Sequence, residues 1–374
     1  MHLSISNFKC HSEIELDFSL LTIIAGRNDC GKSTLTQAIL LHQTAINISR
    51  KTNSQEFLLP INGPYNTYIG KAVNTRSKTI SNKHQATKIS LGEISISATF
   101  DDPDADTLKC TLDKIIPNDA LNLNLSYISA ERLGPRLIQS QRKGHLIDTE
   151  GVGPMGENCA EFLQKHQRKN ISSDIKSISN DSVSPWLIKQ AEHYMSLIFG
   201  EIAIKVEDNG LYAPPSLSIK SGGFDADWLP PTNHGFGISY ALPVIITLLN
   251  SSENDLIIID SPEAHLHPAA QTEMARIITK IALSGRRVIV ETHSDHFIDG
   301  VRLSIAASND PATNATKAKC LFFQRDSDGS ITHTSIIIRP DGTLSQWPSG
   351  FFDQMTINLQ KISKIKKNRE QKLP

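Results

Sequence analysis

Leu20-Leu-Thr-Ile-Ile-Ala25 runs straight into Gly26-Arg27-Asn28-Asp29-Cys30-Gly31-Lys32-Ser33-Thr34, and this stretch decides the fold. A buried apolar run, a loop with four residues between two glycines, and a Lys-Ser pair opening a helical pattern read as strand, phosphate loop and helix. The glycines permit a tight turn and let backbone N–H groups point at phosphate oxygens. The helix N-terminus behind them adds positive potential. Lys32 is expected to reach β- and γ-phosphates, and Ser33 to ligate Mg²⁺ through its hydroxyl. Gly26, Arg27, Asn28, Asp29, Cys30, Gly31, Lys32, Ser33 and Thr34 are therefore the expected cradle for ATP with Mg²⁺.

Outward from the loop, residues 1–25 read as strands, and Thr34 to about Ile48 as a helix with Leu35, Ala38, Ile39 and His42 on one side. The polar residues 50–88 read as an irregular insertion. Ile89–Phe100 alternates as one strand facing solvent on one side, and Leu121–Ser129 suggests another. Between 137 and 230 there are scattered helical segments, Cys159–Gln167 and Pro185–Phe199, and a hairpin pattern at Ala203–Val206 and Leu217–Ile219. No heptad repeat persists, which excludes a long coiled coil. The alternation of strand and helix then resumes with a helix near Ile238–Leu249, strand Leu256–Ile259, helix Ala269–Leu283, strand Arg287–Val290 and helix Asp295–Ser304. Residues 318–345 read as short strands around Asp326-Ser-Asp-Gly, and a last helix runs from Phe351 to about Lys366.

Bulk properties narrow the class. The 374 residues carry a net charge of -1, with 39% hydrophobic and 21% charged residues, as in ordinary soluble proteins. No global field draws the chain to nucleic acid or membrane. No apolar run approaches the roughly 20 residues of a bilayer span. Five cysteines without paired spacing point to a reducing compartment, the cytoplasm by default, and away from a zinc site or disulfide frame.

Three further segments carry chemistry. Leu256-Ile-Ile-Ile-Asp260 is an apolar strand ending in an acid, and Asp260 is expected to hold the Mg²⁺ through water. Ser261-Pro-Glu263-Ala-His265-Leu-His267-Pro follows, and strand Arg287–Val290 ends in Glu291-Thr-His293-Ser. Asn233-His-Gly235-Phe-Gly237-Ile-Ser239 is a glycine turn just before a helix, about twenty residues upstream of the acid strand.

These segments resemble the ABC-type ATPase heads of the OLD, RecF and SMC groups. The Asn7-Phe8-Lys9 entry, the Ala130-Glu-Arg-Leu-Gly-Pro turn and the Glu263-Ala-His-Leu-His-Pro turn carry the likeness, and Trp347-Pro-Ser-Gly-Phe-Phe-Asp353 resembles a short domain of unknown function attached to such ATPases. The resemblance implies an α/β P-loop NTPase with a mixed sheet core, an antiparallel N-terminal sheet and an inserted helical subdomain. The expected divisions are 1–136 and 231–310 for the two halves of the head, 137–230 for the insertion and 311–374 for a small strand-helix extension. It implies that His293 is the switch histidine at the γ-phosphate. Gly235, Gly237 and Ser239 stand where the signature binds the ATP of a second copy, although Gly-Phe-Gly-Ile-Ser differs in letters from the usual Leu-Ser-Gly-Gly. A homodimer sandwiching two ATP molecules follows.

Two places depart from the pattern. The catalytic carboxylate usually follows the strand acid directly; here Ser261 stands there, and Glu263, two positions on, is the candidate general base. Spacing leaves open whether Glu263 reaches the attacking water. In place of the Q-loop glutamine stand Glu131 and Arg132: either one or the other serves there, or the two only stabilise a turn. His265 and His267 are read as part of a loop crossing the dimer interface, not as metal ligands. Asp326-Ser-Asp328 is read as a hairpin turn and not as the metal pair of a Toprim nuclease, so cutting is expected from a partner protein. Similar ATPases occur in Septu and retron anti-phage systems, paired with a nuclease. A RecF-type repair ATPase and a nucleotide-gated scaffold with little hydrolysis stand as alternatives. The basic tail (Lys361, Lys364, Lys366, Lys367, Arg369 and Lys372) is a solvated end or a contact for DNA or RNA phosphates.

Overall fold

Leu21 to Ala25 is buried at every position, and apolar at all but Thr22, because the strand lies inside a sheet covered on both faces. The computed structural model describes residues 1–80, 85–114, 124–136, 151–176, 182–210, 213–223, 225–352 and 354–370. Along the chain run β1 (His2–Phe8), β2 (His11–Asp17), β3 (Leu21–Gly26), α1 (Lys32–Thr52), β4 (Glu56–Pro60), β5 (Thr87–Leu91), β6 (Ile94–Thr99), β7 (Thr107–Leu112) and β8 (Leu125–Ile128). Then come α2 (Cys159–His166), α3 (Ser173–Lys176), α4 (Leu187–Phe199), β9 (Ile202–Glu207), β10 (Ser216–Ser221), α5 (Phe236–Asn250), β11 (Leu256–Asp260), α6 (Pro268–Leu283), β12 (Arg287–Glu291) and α7 (Asp295–Ala306). The chain continues with α8 (Pro311–Thr316), β13 (Ala318–Arg325), β14 (Ile331–Ile337) and α9 (Gln354–Glu370).

The central sheet has the order β14-β13-β3-β12-β11-β8. Strands β13, β3, β12, β11 and β8 are parallel, and β14 pairs antiparallel with β13, so the sheet is mixed. Alternate residues of its strands face opposite layers. Leu21, Ile23, Ala25, Ile257, Ile259, Val288 and Val290 share one core with α2, α4, α5, α6 and α7 and the β9–β10 hairpin. Ile24, Leu256, Ile258 and Ile289 share the other with α1 and an antiparallel sheet of order β2-β1-β5-β6-β7-β4. This α/β architecture of a mixed core, an antiparallel N-terminal sheet and added helices is the one the motifs predict.

Several local readings shift. The alternating stretch 89–100 is two strands: Gly92, at φ 63°, turns the chain and pairs Leu91 with Ile94. Residues 50–88 are not wholly irregular. α1 continues to Thr52, and β4 pairs with β7 over Glu56–Pro60 but buries a single side chain, Leu59, too little alternation to recognise. Asp326 to Ser330 does form the hairpin turn, with Asp326 N–H donating to Ser330 O at 2.9 Å. Of the expected strand 121–129, residues 121–123 lie outside the described residues, as do 137–150, 177–181, 211–212 and 224 of the expected insertion, and Asp353 and Lys372 of the C-terminal motifs. Among the described residues no helix is long and apolar enough to cross a membrane.

Candidate functional site

The loop between β3 and α1 is held from two sides, by β13 and by the β1–β2 hairpin. Gly26, at φ 148°, packs so closely on β13 that an added Cβ would lie 2.3 Å from the carbonyl oxygen of Phe323. Arg325, at the end of β13, donates Nε and a terminal N–H to the Asp29 carbonyl at 3.2 and 2.8 Å, and Asp29 takes a left-handed φ of 61°. From the β1–β2 hairpin, His11 Nε2 lies 3.2 Å from Gly31 O, and Cys10 Sγ donates to Thr34 Oγ1 at 3.3 Å. Cys30 Sγ donates to Arg27 O at 2.7 Å, and burial pushes its thiol pKa up. Arg27 and Asn28 are exposed. Lys32 is buried, and its Nζ donates to Gly26 O at 3.0 Å and Arg27 O at 2.8 Å, which centres the ammonium inside the curl of the loop.

Acids gather at the C-terminal ends of the parallel strands. Asp260 ends β11 and Glu291 ends β12, and the two are in register. Ser33 Oγ donates to Glu291 Oε1 at 3.1 Å and lies 3.3 Å from Oε2. Lys32 Nζ is 3.9 Å from Glu291 Oε1. Burial, then the Asp260 charge, push Glu291 up to about 7, with Lys32 and Ser33 opposing. Asp260 is also raised by burial, against the Ser261 hydroxyl, which donates to its Oδ1 at 2.9 Å, and against Arg132.

Ser261 follows at φ 49°, a backbone conformation that costs a serine energy. The chain turns back there: Ala264 N–H donates to Ser261 O at 3.1 Å and Leu266 N–H to Glu263 O at 3.1 Å. The turn carries Glu263 to the strand ends, where its Oε1 accepts from the His293 backbone N–H at 2.8 Å. Its Oε2 is buried and meets no hydrogen-bond donor in good geometry among the described residues. Burial raises the Glu263 pKa, and the His293 N–H is the main group opposing.

Arg132 sits beneath this turn. It is 3% exposed and donates to the carbonyls of Asp260 at 3.0 Å and Ser261 at 2.5 Å, with Tyr240 stacked 5.1 Å from its guanidinium carbon. Burial lowers its pKa to about 10, against the pull of Asp260 and Glu263. Glu131 is exposed. The geometry thus gives Arg132 the turn-bracing part of the two readings of this pair.

His293 projects from the strand end with an exposed side chain, and its pKa is lowered by burial and by Lys32. It does not cap α7; Ser294 does, accepting from Phe297 N–H at 3.0 Å. His267 Nδ1 faces Ala269 N–H at 3.4 Å as the cap of α6, and the His265 ring packs on Tyr240 and Phe236. At the glycine turn, Gly235 caps α5 and is exposed with Phe236, while Gly237 is buried against the His265 carbonyl. No hydrogen bond among the described residues joins Gly235, Gly237 or Ser239 to the phosphate loop of the same chain.

The AAA ATPase domain model matches residues 1–211 and 158–298, which together span the chain to residue 298 of 374. The chain belongs to the AAA ATPase domain family. Residues 314–362 match a protein family of unknown function, DUF3696. No curated protein matches the sequence. Among solved structures, the Smc head bound to the C-winged helix domain of ScpA superposes at a TM-score of 0.50 with 14% identity, covering 90% of this chain and 97% of that one. An Smc head domain with an extended coiled coil, bound to the C-terminal domain of ScpA derived from Pyrococcus furiosus, gives 0.48 with 11% identity over 97% and 98%. The SMC head domain from Thermotoga maritima gives 0.43 with 11% identity over 89% and 97%. Likeness at this identity is one of fold.

Within this AAA ATPase domain protein, the donor set at the strand ends suits a hard divalent cation: the Ser33 hydroxyl and the carboxylates of Asp260 and Glu291 are all oxygen. Among the described residues no group of three or more His, Cys, Asp or Glu is arranged to hold a metal by itself. That fits a cation shared with nucleotide phosphates, which needs few protein ligands. Glu291 has no role in the sequence reading. Its one signal was its place at the end of an apolar strand beside His293, and the register that sets it against Asp260 is tertiary.

Proposed function

We propose that this protein binds ATP with Mg²⁺ at Gly26–Thr34, hydrolyses it in a homodimer, and uses that cycle to control a nuclease partner in anti-phage defence. The observation that carries the nucleotide reading is the convergence of Lys32, Ser33, Asp260 and Glu263 at the carboxyl ends of parallel strands, where open α/β sheets bind ligands. Loop amides and Lys32 hold the phosphates. Ser33 and Asp260 hold the cation, which supplies charge neutralisation on the phosphate oxygens. Glu263 is the general base that takes the proton of the attacking water, with the buried setting raising its basicity. His293 offers a ring nitrogen toward the terminal phosphate.

Dimerisation is supported by the exposed turn at Gly235 and Phe236, which opens α5 with helix N–H groups unattached to the chain's own phosphate loop. A second copy provides the phosphate that such a turn suits. The nuclease partner and the defence role rest on the motif resemblance to Septu and retron ATPases. The solvent-exposed Lys361, Lys364 and Lys366 of α9 supply cationic groups for DNA or RNA.

The test is calorimetry and sedimentation on the full chain with ATP and Mg²⁺, followed by partner identification after purification from the native operon. Mg²⁺-dependent ATP binding, an ATP-driven dimer in Glu263→Gln and a co-purifying nuclease are expected. A folded chain without affinity for ATP overturns the nucleotide reading, a chain monomeric under every nucleotide condition overturns the sandwich, and a native operon without a nuclease overturns the defence reading.

A further inference from the structure

Glu291 stands where the phosphate loop meets the acid strand, and the proposed hydrolysis cycle gives it no part. It ends β12 in register with Asp260 on β11, so the two carboxylates leave neighbouring strands at the same height. Its oxygens lie 3.1 and 3.3 Å from Ser33 Oγ, and Lys32 Nζ is 3.9 Å away. Its side chain is 5% exposed. The two groups it touches are the ones that must also face a triphosphate and its cation. A buried negative charge beside phosphate oxygens is strongly repulsive at short range and low dielectric, unless a cation lies between them. Mg²⁺ accepts one or two protein carboxylates together with phosphates and water.

We infer that Glu291 is a second protein carboxylate of the cation site, across from Asp260, and that it makes nucleotide binding conditional on the divalent ion. With the ion present, Glu291 is an oxygen ligand, directly or through a water. Without the ion, it repels the triphosphate from Lys32 and Ser33. This deepens the ATP-binding reading and rests on it. A group that merely propped Ser33 and Lys32 in place would weaken ATP binding equally with and without the ion.

The experiment measures ATP affinity by calorimetry in Mg²⁺ and in EDTA for wild type, Glu291→Gln and Glu291→Asp, with Mn²⁺ binding followed by electron paramagnetic resonance in the presence of a non-hydrolysable ATP analogue. In Glu291→Gln, affinity in EDTA rises, affinity in Mg²⁺ falls, and the ratio between the two shrinks by about tenfold. Mn²⁺ is held more weakly. Glu291→Asp, which keeps the charge, retains most of the ratio. Equal losses in Mg²⁺ and EDTA, or an unchanged ratio with unchanged Mn²⁺ affinity, overturn the inference. Failure of wild type to bind ATP under either condition counts against the nucleotide reading instead, so the two failures are distinguishable.

Discussion

Glu263 Oε1 accepts a 2.8 Å hydrogen bond from the backbone N–H of His293, thirty residues further along the chain. The bond fixes one oxygen and leaves the other without a donor in good geometry among the described residues. It ties the turn after the acid strand to the strand end that carries the histidine. A carboxylate held this way suits the proposed role of base even though Ser261 occupies the usual place. Glu263→Gln keeps the shape and removes the basicity. Turnover is expected to fall about 10²- to 10⁴-fold, with ATP affinity little changed. Phosphate-release assays beside calorimetry check this, and normal turnover would move the role elsewhere, with His293 next to test.

Lys32 lies inside the loop with its ammonium on two loop carbonyls, at 3.0 and 2.8 Å, so the loop is shaped around a cation at that point. Lys32→Ala removes the charge proposed to meet the phosphates. A hydrogen bond to a charged group contributes about 1.5–3 kcal/mol, so ATP affinity is expected to drop by about 10- to 100-fold or more. Fluorescent-nucleotide titration reads this directly, and unchanged affinity would contradict the loop assignment.

Arg132 spans the same turn from below. Arg132→Met leaves the carbonyls of Asp260 and Ser261 without their buried donors, a penalty of about 1–3 kcal/mol for each. With Ser261 already in a left-handed conformation, the turn loses its brace. The expected result is a melting temperature lowered by several degrees and a hydrolysis rate reduced more than ATP binding, since the acids move while the phosphate loop does not. Thermal unfolding and steady-state kinetics decide it; loss of affinity with unaltered turnover would place Arg132 at the nucleotide instead.

The phosphate loop and the acid that ends β11 are local patterns, and local patterns are what a single sequence exposes. Gly26, Lys32 and Ser33 announce themselves by spacing, and Asp260 by the apolar run before it. Glu263 was visible as a candidate, but its place at the strand ends was not, because its reach depends on the backbone of Ser261, where nothing in a Ser-Pro-Glu string signals a positive φ. Arg132 and Glu131 were inseparable in the sequence, yet burial separates them at once. Glu291 went unassigned because its partners, Ser33 and Asp260, meet it only through strand order. The break of 89–100 into two strands at Gly92 shows the same limit, since alternation continues through a tight hairpin almost undisturbed.

Gly300 marks a close approach of α6 and α7. A Cβ added there would lie 2.5 Å from the carbonyl oxygen of Thr272 and 2.7 Å from the Ala275 side chain. The first of these is backbone and cannot rotate away. Gly300→Ala gains helix propensity of about 1 kcal/mol, but pushing packed helices apart typically costs about 1–3 kcal/mol and occasionally more. Net destabilisation is expected, with a lower urea midpoint and an unchanged slope. A midpoint equal to or above wild type would show that the two helices separate freely.

His42 gives the fold an acid sensitivity that has nothing to do with the nucleotide site. It is buried on α1, its Nε2 lies 3.0 Å from the Ile94 carbonyl, and its Nδ1 is buried without a partner among the described residues. That geometry suits the neutral ring with the proton on Nε2, and burial pushes its pKa down to about 4. In the unfolded chain a histidine titrates near 6.5. Above that pH neither state is protonated and His42 carries no penalty. As pH falls from about 6.5 to about 4 the unfolded chain takes up a proton that the folded one refuses. Stability is lost across that window by up to about 3 kcal/mol, and the loss levels off below it. His42→Gln keeps a donor for the Ile94 carbonyl and does not titrate. Urea unfolding between pH 4 and 7 should therefore show a shallower pH dependence in the variant than in wild type; parallel curves would mean that the ring charges in the folded protein as readily as in the unfolded chain.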